Sequence, residues 1–269
     1  MSIIERALKT TQNRAPKPQA PAQAVLPRMP ELPSPAVADR PPLSIRAALA
    51  TETFPELGRD IRFLKRPLLA RLFGGQEEGA RRRTLMVTSD LPAAGKSFIS
   101  RNLAASFAQE KMLRVLLVDA DPVRRSLSQL LGVEDRPGFM DLVAGDVMQL
   151  SEVMLATDVE ALYFIPAGRV RSDATELIGS SRMAAVLAAM DDPNTVVVLD
   201  SPPLLLSSEG RVLADNAAQV LVVVEAGRST AADVAQVVDL LRGTPATVSV
   251  VLNKVPVSAL PYRHDMYYR

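Results

Sequence analysis

From about residue 84 onward the chain alternates between short, continuous apolar runs and longer amphipathic stretches. The runs at Thr84–Thr88, Val115–Asp119, Leu162–Pro166, Val196–Asp200, Val220–Glu225 and Val248–Asn253 are rich in Val and Leu and too short for helices. Unbroken apolar residues, rather than alternating ones, predict strands buried on both faces. Between them, helical spacing appears over Lys96–Gln109, near Leu127, over Met183–Met190 and over Thr230–Leu241. Strand followed repeatedly by helix predicts an α/β fold, a mostly parallel sheet sandwiched between helices, with ligands bound at the carboxyl ends of the strands.

The pattern before the first strand is different. Ile61, Leu64, Leu68 and Leu72 recur at helical spacing within Ile45–Phe73, and Pro67 is expected to interrupt that helix. Residues 1–12 carry Ile3, Ile4, Ala7 and Leu8 on one helical face behind Ser2 as a cap, which predicts a short amphipathic helix; a fraying tail is the competing reading. Asn13–Pro42 holds nine of the 21 prolines and reads as an extended tether. The resulting division is a helix at 1–12, a Pro/Ala-rich linker at 13–44, a folded domain at 45–258 and a tail at 259–269.

Composition narrows the chemistry. Apolar residues make up 48% of the 269, enough for a sizeable core. Basic and acidic residues number 31 and 30, so no net field favours nucleic acid, and none is expected as a partner. Cysteine is absent and His264 is the single histidine, which excludes thiolate chemistry and any site needing two imidazoles. The longest apolar runs, such as Val220–Val224, are far shorter than the roughly 20 residues that span a bilayer. A cytoplasmic location is expected.

The most informative segment is Leu85–Phe98, LMVTSDLPAAGKSF: an apolar run, a polar turn, then Gly95-Lys96-Ser97 opening a helical pattern. A loop followed by a helix N-terminus aims backbone N–H groups at one spot and suits a polyphosphate; Lys96 adds a cation and Ser97 a hydroxyl for Mg²⁺. The usual phosphate-loop pattern has Gly five residues before Gly95, where this chain has Asp90. A capping Ser97 beside an exposed lysine is the competing reading. Asp119 and Asp121 close VLLVDAD, and Asp200 closes VVVLD, both at strand ends where such a fold binds ligands. One or two carboxylates, a hydroxyl and phosphate oxygens complete an octahedral magnesium shell. Taken singly, each aspartate could instead cap a turn.

These motifs resemble bacterial tyrosine kinases of the capsular and exopolysaccharide type. In that family the first strand enters a loop like TSxxPGEGKS, matched here by Thr88, Ser89, Pro92, Gly95, Lys96 and Ser97. An apolar strand ending in DxD with basic residues after it is matched by Asp119, Asp121, Arg124 and Arg125, and one ending in DSPP by Asp200–Pro203. Further segments resemble the exosortase-associated branch: the opening residues, Lys65–Ala70, Pro137–Leu142, Ile165–Arg169 and Ala174–Ile178.

The resemblance implies a P-loop kinase domain binding MgATP, with Pro92, Ala93, Ala94, Gly95, Lys96, Ser97 and Phe98 around the phosphates and Asn253 at the adenine, although Asn253 equally suits a turn cap. It implies that Lys96 spans the β- and γ-phosphates and that Ser97 and Asp200 organise Mg²⁺ with help from Asp121. Asp119 would position or deprotonate a tyrosine hydroxyl. Tyr262, Tyr267 and Tyr268, three of only four tyrosines, would be the phosphoacceptors, while Tyr163 belongs to a strand. Glu56, Arg59 and Arg62 match the family's oligomerisation spacing and imply a homo-oligomeric ring, octameric in size; an ordinary charged helix face is the alternative. Lacking a span of its own, such a kinase is expected at the inner face of the membrane through a transmembrane polysaccharide co-polymerase that activates it. Ala93 and Ala94 depart from the family's glycine and acidic residue; if position 93 requires φ > 0, alanine there weakens ATP binding. A catalytically poor assembly module of the export machinery and a ParA/MinD-like positioning ATPase are the competing functions. The second usually carries a lysine where Leu91 stands.

Overall fold

Each of the predicted runs forms a strand, and one further short strand joins them. The computed structural model describes residues 41–50, 54–74 and 83–256. The expected helix at 1–12, most of the linker, and the tail with Tyr262, Tyr267 and Tyr268 lie outside the described residues. After a 3₁₀ turn at Arg46–Ala48 come α1 (Pro55–Phe73), β1 (Thr84–Ser89), α2 (Lys96–Phe107), β2 (Arg114–Asp119), α3 (Ser126–Leu130), α4 (Phe139–Ala144) and α5 (Leu150–Val153). They are followed by β3 (Leu155–Ala156), β4 (Leu162–Ile165), α6 (Ala174–Ile178), α7 (Ser181–Ala189), β5 (Thr195–Asp200), α8 (Ser208–Asp215), β6 (Gln219–Glu225), α9 (Ala231–Leu240) and β7 (Thr247–Asn253).

The sheet order is β3-β4-β2-β5-β1-β6-β7. All its pairings are parallel except β3 with β4. Successive residues of a strand point to opposite faces. Leu85, Val87, Val115, Leu117, Val196 and Val198 pack with α1 and α2, whereas Met86, Leu116, Val118, Val197 and Leu199 pack with α4 and α7. Both faces are therefore covered by helices, which explains the unbroken apolar runs. Tyr163 is buried within β4, as expected.

Three expectations need correction. Pro67 does not interrupt α1, which runs unbroken through it. Pro67 lies on the exposed side of the helix, opposite Ile61, Lys65, Leu68 and Leu72, so the carbonyl that loses its N–H partner faces water. β7 is not buried on both faces: it is an edge strand, paired only with β6 among the described residues, and Val250 and Leu252 are 49% and 57% exposed. The folded region also begins before residue 45. Leu43 bridges to Thr157, and Ser44 donates to Asp158.

Asp158 anchors this leading segment. Its Oδ1 accepts the Ile45 and Arg46 amides at 2.9 and 3.0 Å, and its Oδ2 the Ser44 hydroxyl at 3.0 Å. The cap holds Ile45 and Leu49 in the core beside α2. Asp158→Ala is expected to cost about 1–2 kcal/mol, read as an earlier urea midpoint and faster proteolysis before residue 50; an unchanged midpoint would show that the apolar contacts suffice.

Candidate functional site

The segment Asp90–Gly95 turns between β1 and α2. Gly95 sits at φ 105° as the residue ahead of α2, a conformation that glycine reaches without a Cβ penalty. A Cβ there would also collide with Asn253 Nδ2, so the glycine leaves room for a neighbouring side chain as well. Asn253 Nδ2 donates to the Ala94 carbonyl at 2.8 Å, tying the loop to the end of β7. The first intrahelical bond of α2 runs from Ile99 N–H to Gly95 O. The amides of Lys96, Ser97 and Phe98 precede it and have no intrahelical acceptor, which makes them natural anion donors.

Ala93 has φ 65°, so the position does require the left-handed region. Alanine costs on the order of 1 kcal/mol there relative to glycine. Ala94 is buried in the core instead. The Phe98 ring packs against the α1 side of the core and stacks on Arg101, 4.9 Å from the guanidinium carbon. Its side chain is thus occupied in packing, and its amide is the part that remains at the loop.

The acidic residues converge because of strand register. Asp119 of β2 lies directly beside Asp200 of β5, and Asp200 pairs with Val87 of β1. Lys96 reaches back into this group: its Nζ is 3.1 Å from Asp121 Oδ2 and 3.7 Å from Asp200 Oδ2. Burial works against the Lys96 ammonium, but Asp200 and Asp121 outweigh it and hold its pKa above the ordinary value. Asp200 is fully buried; burial raises its pKa, opposed by Lys96 and by the Ser97 and Ser100 hydroxyls. Ser100 Oγ donates to Asp200 Oδ1 at 3.1 Å, while Oδ2 accepts no hydrogen bond.

Asp119 is also buried, and burial together with the neighbouring Asp200 pushes its pKa up to about 7. Its Oδ2 accepts both the amide and the hydroxyl of Ser128 at 2.8 Å. Ser128 Oγ in turn accepts the Ala167 amide at 2.9 Å. Two segments that stand out in the sequence meet beneath this contact. The Phe139 and Met140 amides at the start of α4 donate to the Pro166 and Ala167 carbonyls, and Asp141 Oδ2 accepts the Gly138 and Arg169 amides. The β4–α6 loop is thereby held against α3 and fixes the Ser128 hydroxyl.

Residues 85–266 match the family model described as the CobQ/CobB/MinD/ParA nucleotide binding domain. The chain belongs to that family. Within it, this nucleotide-binding domain is similar to tyrosine-protein kinase wzc of Salmonella typhimurium, 28% identical over 190 residues, which are 70% of this chain and 26% of the relative. The chain spans about a quarter of the length of the first curated relatives it matches. Among solved structures, the kinase domain of Escherichia coli tyrosine kinase ETK superposes with a TM-score of 0.63 at 29% identity, over 71% of this chain and 74% of that one. The BceF tyrosine kinase domain gives 0.65 at 26%, covering 77% and 82%.

The nucleotide-binding domain thus gathers Lys96, Ser97, Asp119, Asp121 and Asp200, expected together from their strand ends, at one place. Ser100 and Ser128 were not singled out by the sequence. Each is an unremarkable serine in a helical pattern, and only the fold sets it against a carboxylate. Glu56, Arg59 and Arg62 are all exposed on α1. No helix among the described residues is long and apolar enough to cross a membrane.

Proposed function

We propose that the chain is an ATP-dependent protein tyrosine autokinase that regulates exopolysaccharide polymerisation or export, in the exosortase-associated branch its sequence segments resemble. The observation that carries this reading is the placement of Asp119 beside Asp200 and the Lys96 ammonium at the mouth of a phosphate loop, in a domain similar to bacterial tyrosine kinase domains. Magnesium fits the residues present. Asp200 Oδ2 is a buried carboxylate oxygen without a hydrogen bond, and Ser97 and Ser100 add hydroxyls beside it. Among the described residues no group of three or more acidic or histidine side chains could cage a metal by itself, which suits an ion shared with phosphate oxygens. Ser97, Asp121 and Asp200 would hold it, and when bound it would neutralise charge on the transferred phosphoryl group.

The chain's own residues supply the rest. The amides at the start of α2 and the Lys96 ammonium grip the β- and γ-phosphates, with Lys96 exchanging its carboxylate partners for phosphate oxygens. Asp119 takes the proton of the tyrosine hydroxyl; its Oδ2 is committed to Ser128, whereas Oδ1 accepts only the Asp121 amide at 3.4 Å and suits that role. The Asn253 carbonyl oxygen, on an amide already anchored through Nδ2, suits an adenine amino group.

Tyr262, Tyr267 and Tyr268 are the acceptors, supplied in trans by a neighbour in a ring built through Glu56, Arg59 and Arg62. A transmembrane co-polymerase would bring the chain to the inner face of the membrane. Phosphate adds roughly −1.5 to −2 charge to each tyrosine, which weakens tail docking at an acidic site and releases the ring. Incubation with MgATP and immunoblotting for phosphotyrosine tests the reading. Changing all three tail tyrosines to Phe is expected to remove most of the label; a triple variant labelled like the wild type would refute the tail assignment. Wild type that stays unlabelled, even with its membrane activator, would sink the kinase reading.

A further inference from the structure

The outer side of the phosphate loop is held by side chains from the ends of β6 and β7. Arg228 Nη1 donates to the Pro92 carbonyl at 2.8 Å, Lys254 Nζ to the Ala93 carbonyl at 2.8 Å, and Asn253 Nδ2 to the Ala94 carbonyl at 2.8 Å. Three consecutive carbonyls are thus engaged from one side. Glu225, the last residue of β6, joins the two cations: its Oε1 is 3.0 Å from Lys254 Nζ and its Oε2 3.2 Å from Arg228 Nη1. The Lys254 hydrogen bond and then Arg228 hold the Glu225 carboxyl below its ordinary pKa.

The platform is itself rigid. The Arg228 and Ser229 amides donate to the Glu225 carbonyl, the Ser229 hydroxyl accepts the Glu225 amide, and the Ala226 amide donates to the Asn253 carbonyl. Because a trans peptide is planar, the N–H of each residue points opposite to the carbonyl before it. Outward carbonyls at Pro92, Ala93 and Ala94 therefore turn the amides of Ala93, Ala94 and Gly95 toward the inside of the loop, where an anion would sit. Ala93 opposes this arrangement, since an L-side chain disfavours φ 65°.

We propose that Glu225, Arg228 and Lys254 form a positioning unit that holds the phosphate loop in its anion-binding shape despite alanine at position 93, an inference that rests on the nucleotide-binding reading of the site. Each ion pair is partly exposed and weak by itself. The unit acts through the charge-assisted bonds to the carbonyls, which are shorter and stronger than neutral ones.

The unit makes Ala93 and the two cations energetically coupled, and this coupling is measurable. Binding of a fluorescent N-methylanthraniloyl ATP analogue with Mg²⁺ is compared for the wild-type 269-residue chain, R228A/K254A, A93G and the triple variant, with E225Q as a fourth substitution. R228A/K254A is expected to bind about tenfold more weakly and E225Q severalfold more weakly. A93G is expected to restore most of the loss in the R228A/K254A background and to tighten binding by a smaller factor in the wild type, where the clamp already holds the loop. Equal weakness with and without A93G would overturn the proposal and mark Arg228 and Lys254 as direct phosphate ligands; unchanged affinity in R228A/K254A would also overturn it.

Hydrogen exchange of the 90–98 peptide without nucleotide gives an independent readout. It should accelerate in R228A/K254A and slow again on adding A93G, and unchanged exchange overturns the clamp. If the wild type fails to bind the analogue while exchange behaves as expected, the nucleotide reading falls and the clamp stands.

Discussion

Lys96→Met is expected to lower phosphotyrosine formation by at least about a thousandfold and, in the absence of Mg²⁺, to destabilise the folded domain as well. The catalytic loss follows from removing the cation that meets the phosphates. The stability loss follows from what Lys96 does before nucleotide arrives. It is 5% exposed and lies 3.1 and 3.7 Å from Asp121 and Asp200, with Asp119 beside Asp200. Methionine fills a similar volume but leaves those buried carboxylates without their ammonium. Removing one partner of a buried ion pair costs about 3–5 kcal/mol, which in a domain of this size moves the thermal midpoint by about 10 °C. Millimolar Mg²⁺ should recover part of that midpoint in Lys96→Met, since a divalent ion can occupy the position of the lost charge. Thermal unfolding in EDTA and in MgCl₂ checks both effects. Equal midpoints for wild type and variant in EDTA would show that the acidic group carries no net charge to compensate.

Asp119→Asn is expected to act in opposite directions on activity and stability. Activity falls by about 10²–10⁴-fold, the usual contribution of a positioned proton acceptor. Stability at pH 8 rises. The folded Asp119 titrates at about 7, against an ordinary value of 3.8. Between those values the folded chain holds a proton that the unfolded chain has lost, so stability falls as pH rises through this window and reaches its floor above about 7. The full effect is at most about 4 kcal/mol. Asparagine retains an oxygen for the Ser128 amide and hydroxyl, gives up only the long 3.4 Å bond from the Asp121 amide, and has no charge to desolvate beside Asp200. The variant should therefore be more stable than wild type at pH 8, and the difference should shrink toward pH 5. Urea midpoints at the two pH values in EDTA decide it; a wild-type pH dependence that persists in Asp119→Asn would show that Asp119 is not its source. On the proposed function, phosphotyrosine formation by the wild type should correspondingly climb as pH rises through about 7.

Much of the fold was legible because burial on both sheet faces leaves a simple trace. Strands such as Thr195–Asp200 are apolar on both faces along Val196–Leu199 because helices cover both sides, and the reading of a parallel α/β sheet follows. β7 shows where that trace misleads. Val248–Asn253 is as apolar as the inner strands, yet it lies at the edge with Val250 and Leu252 exposed. Composition reports what a strand can tolerate and leaves open which neighbours it receives. Pro67 misled for a related reason: its cost depends on whether the orphaned carbonyl faces water, and that is set by how α1 docks.

The sequence alone determined which residues are available for chemistry. Gly95-Lys96-Ser97 after a strand, with aspartates closing two others, pointed to a nucleotide-binding loop with carboxylates beside it, because carboxyl ends of parallel strands face one edge of the sheet. Tertiary structure decided how those groups are tuned. The register of β2 against β5 sets Asp119 beside Asp200, burial and that neighbour lift the Asp119 pKa, and Ser128 and Ser100 hydrogen-bond Asp119 and Asp200 respectively from positions no motif marks. Ala93 illustrates the division: its identity announced a strained turn, and only the packing of β6 and β7 brought Glu225, Arg228 and Lys254 within reach of it. Desolvation and side-chain hydrogen bonds at this site depend on residues as far as 161 positions apart, and a linear pattern carries no record of those contacts.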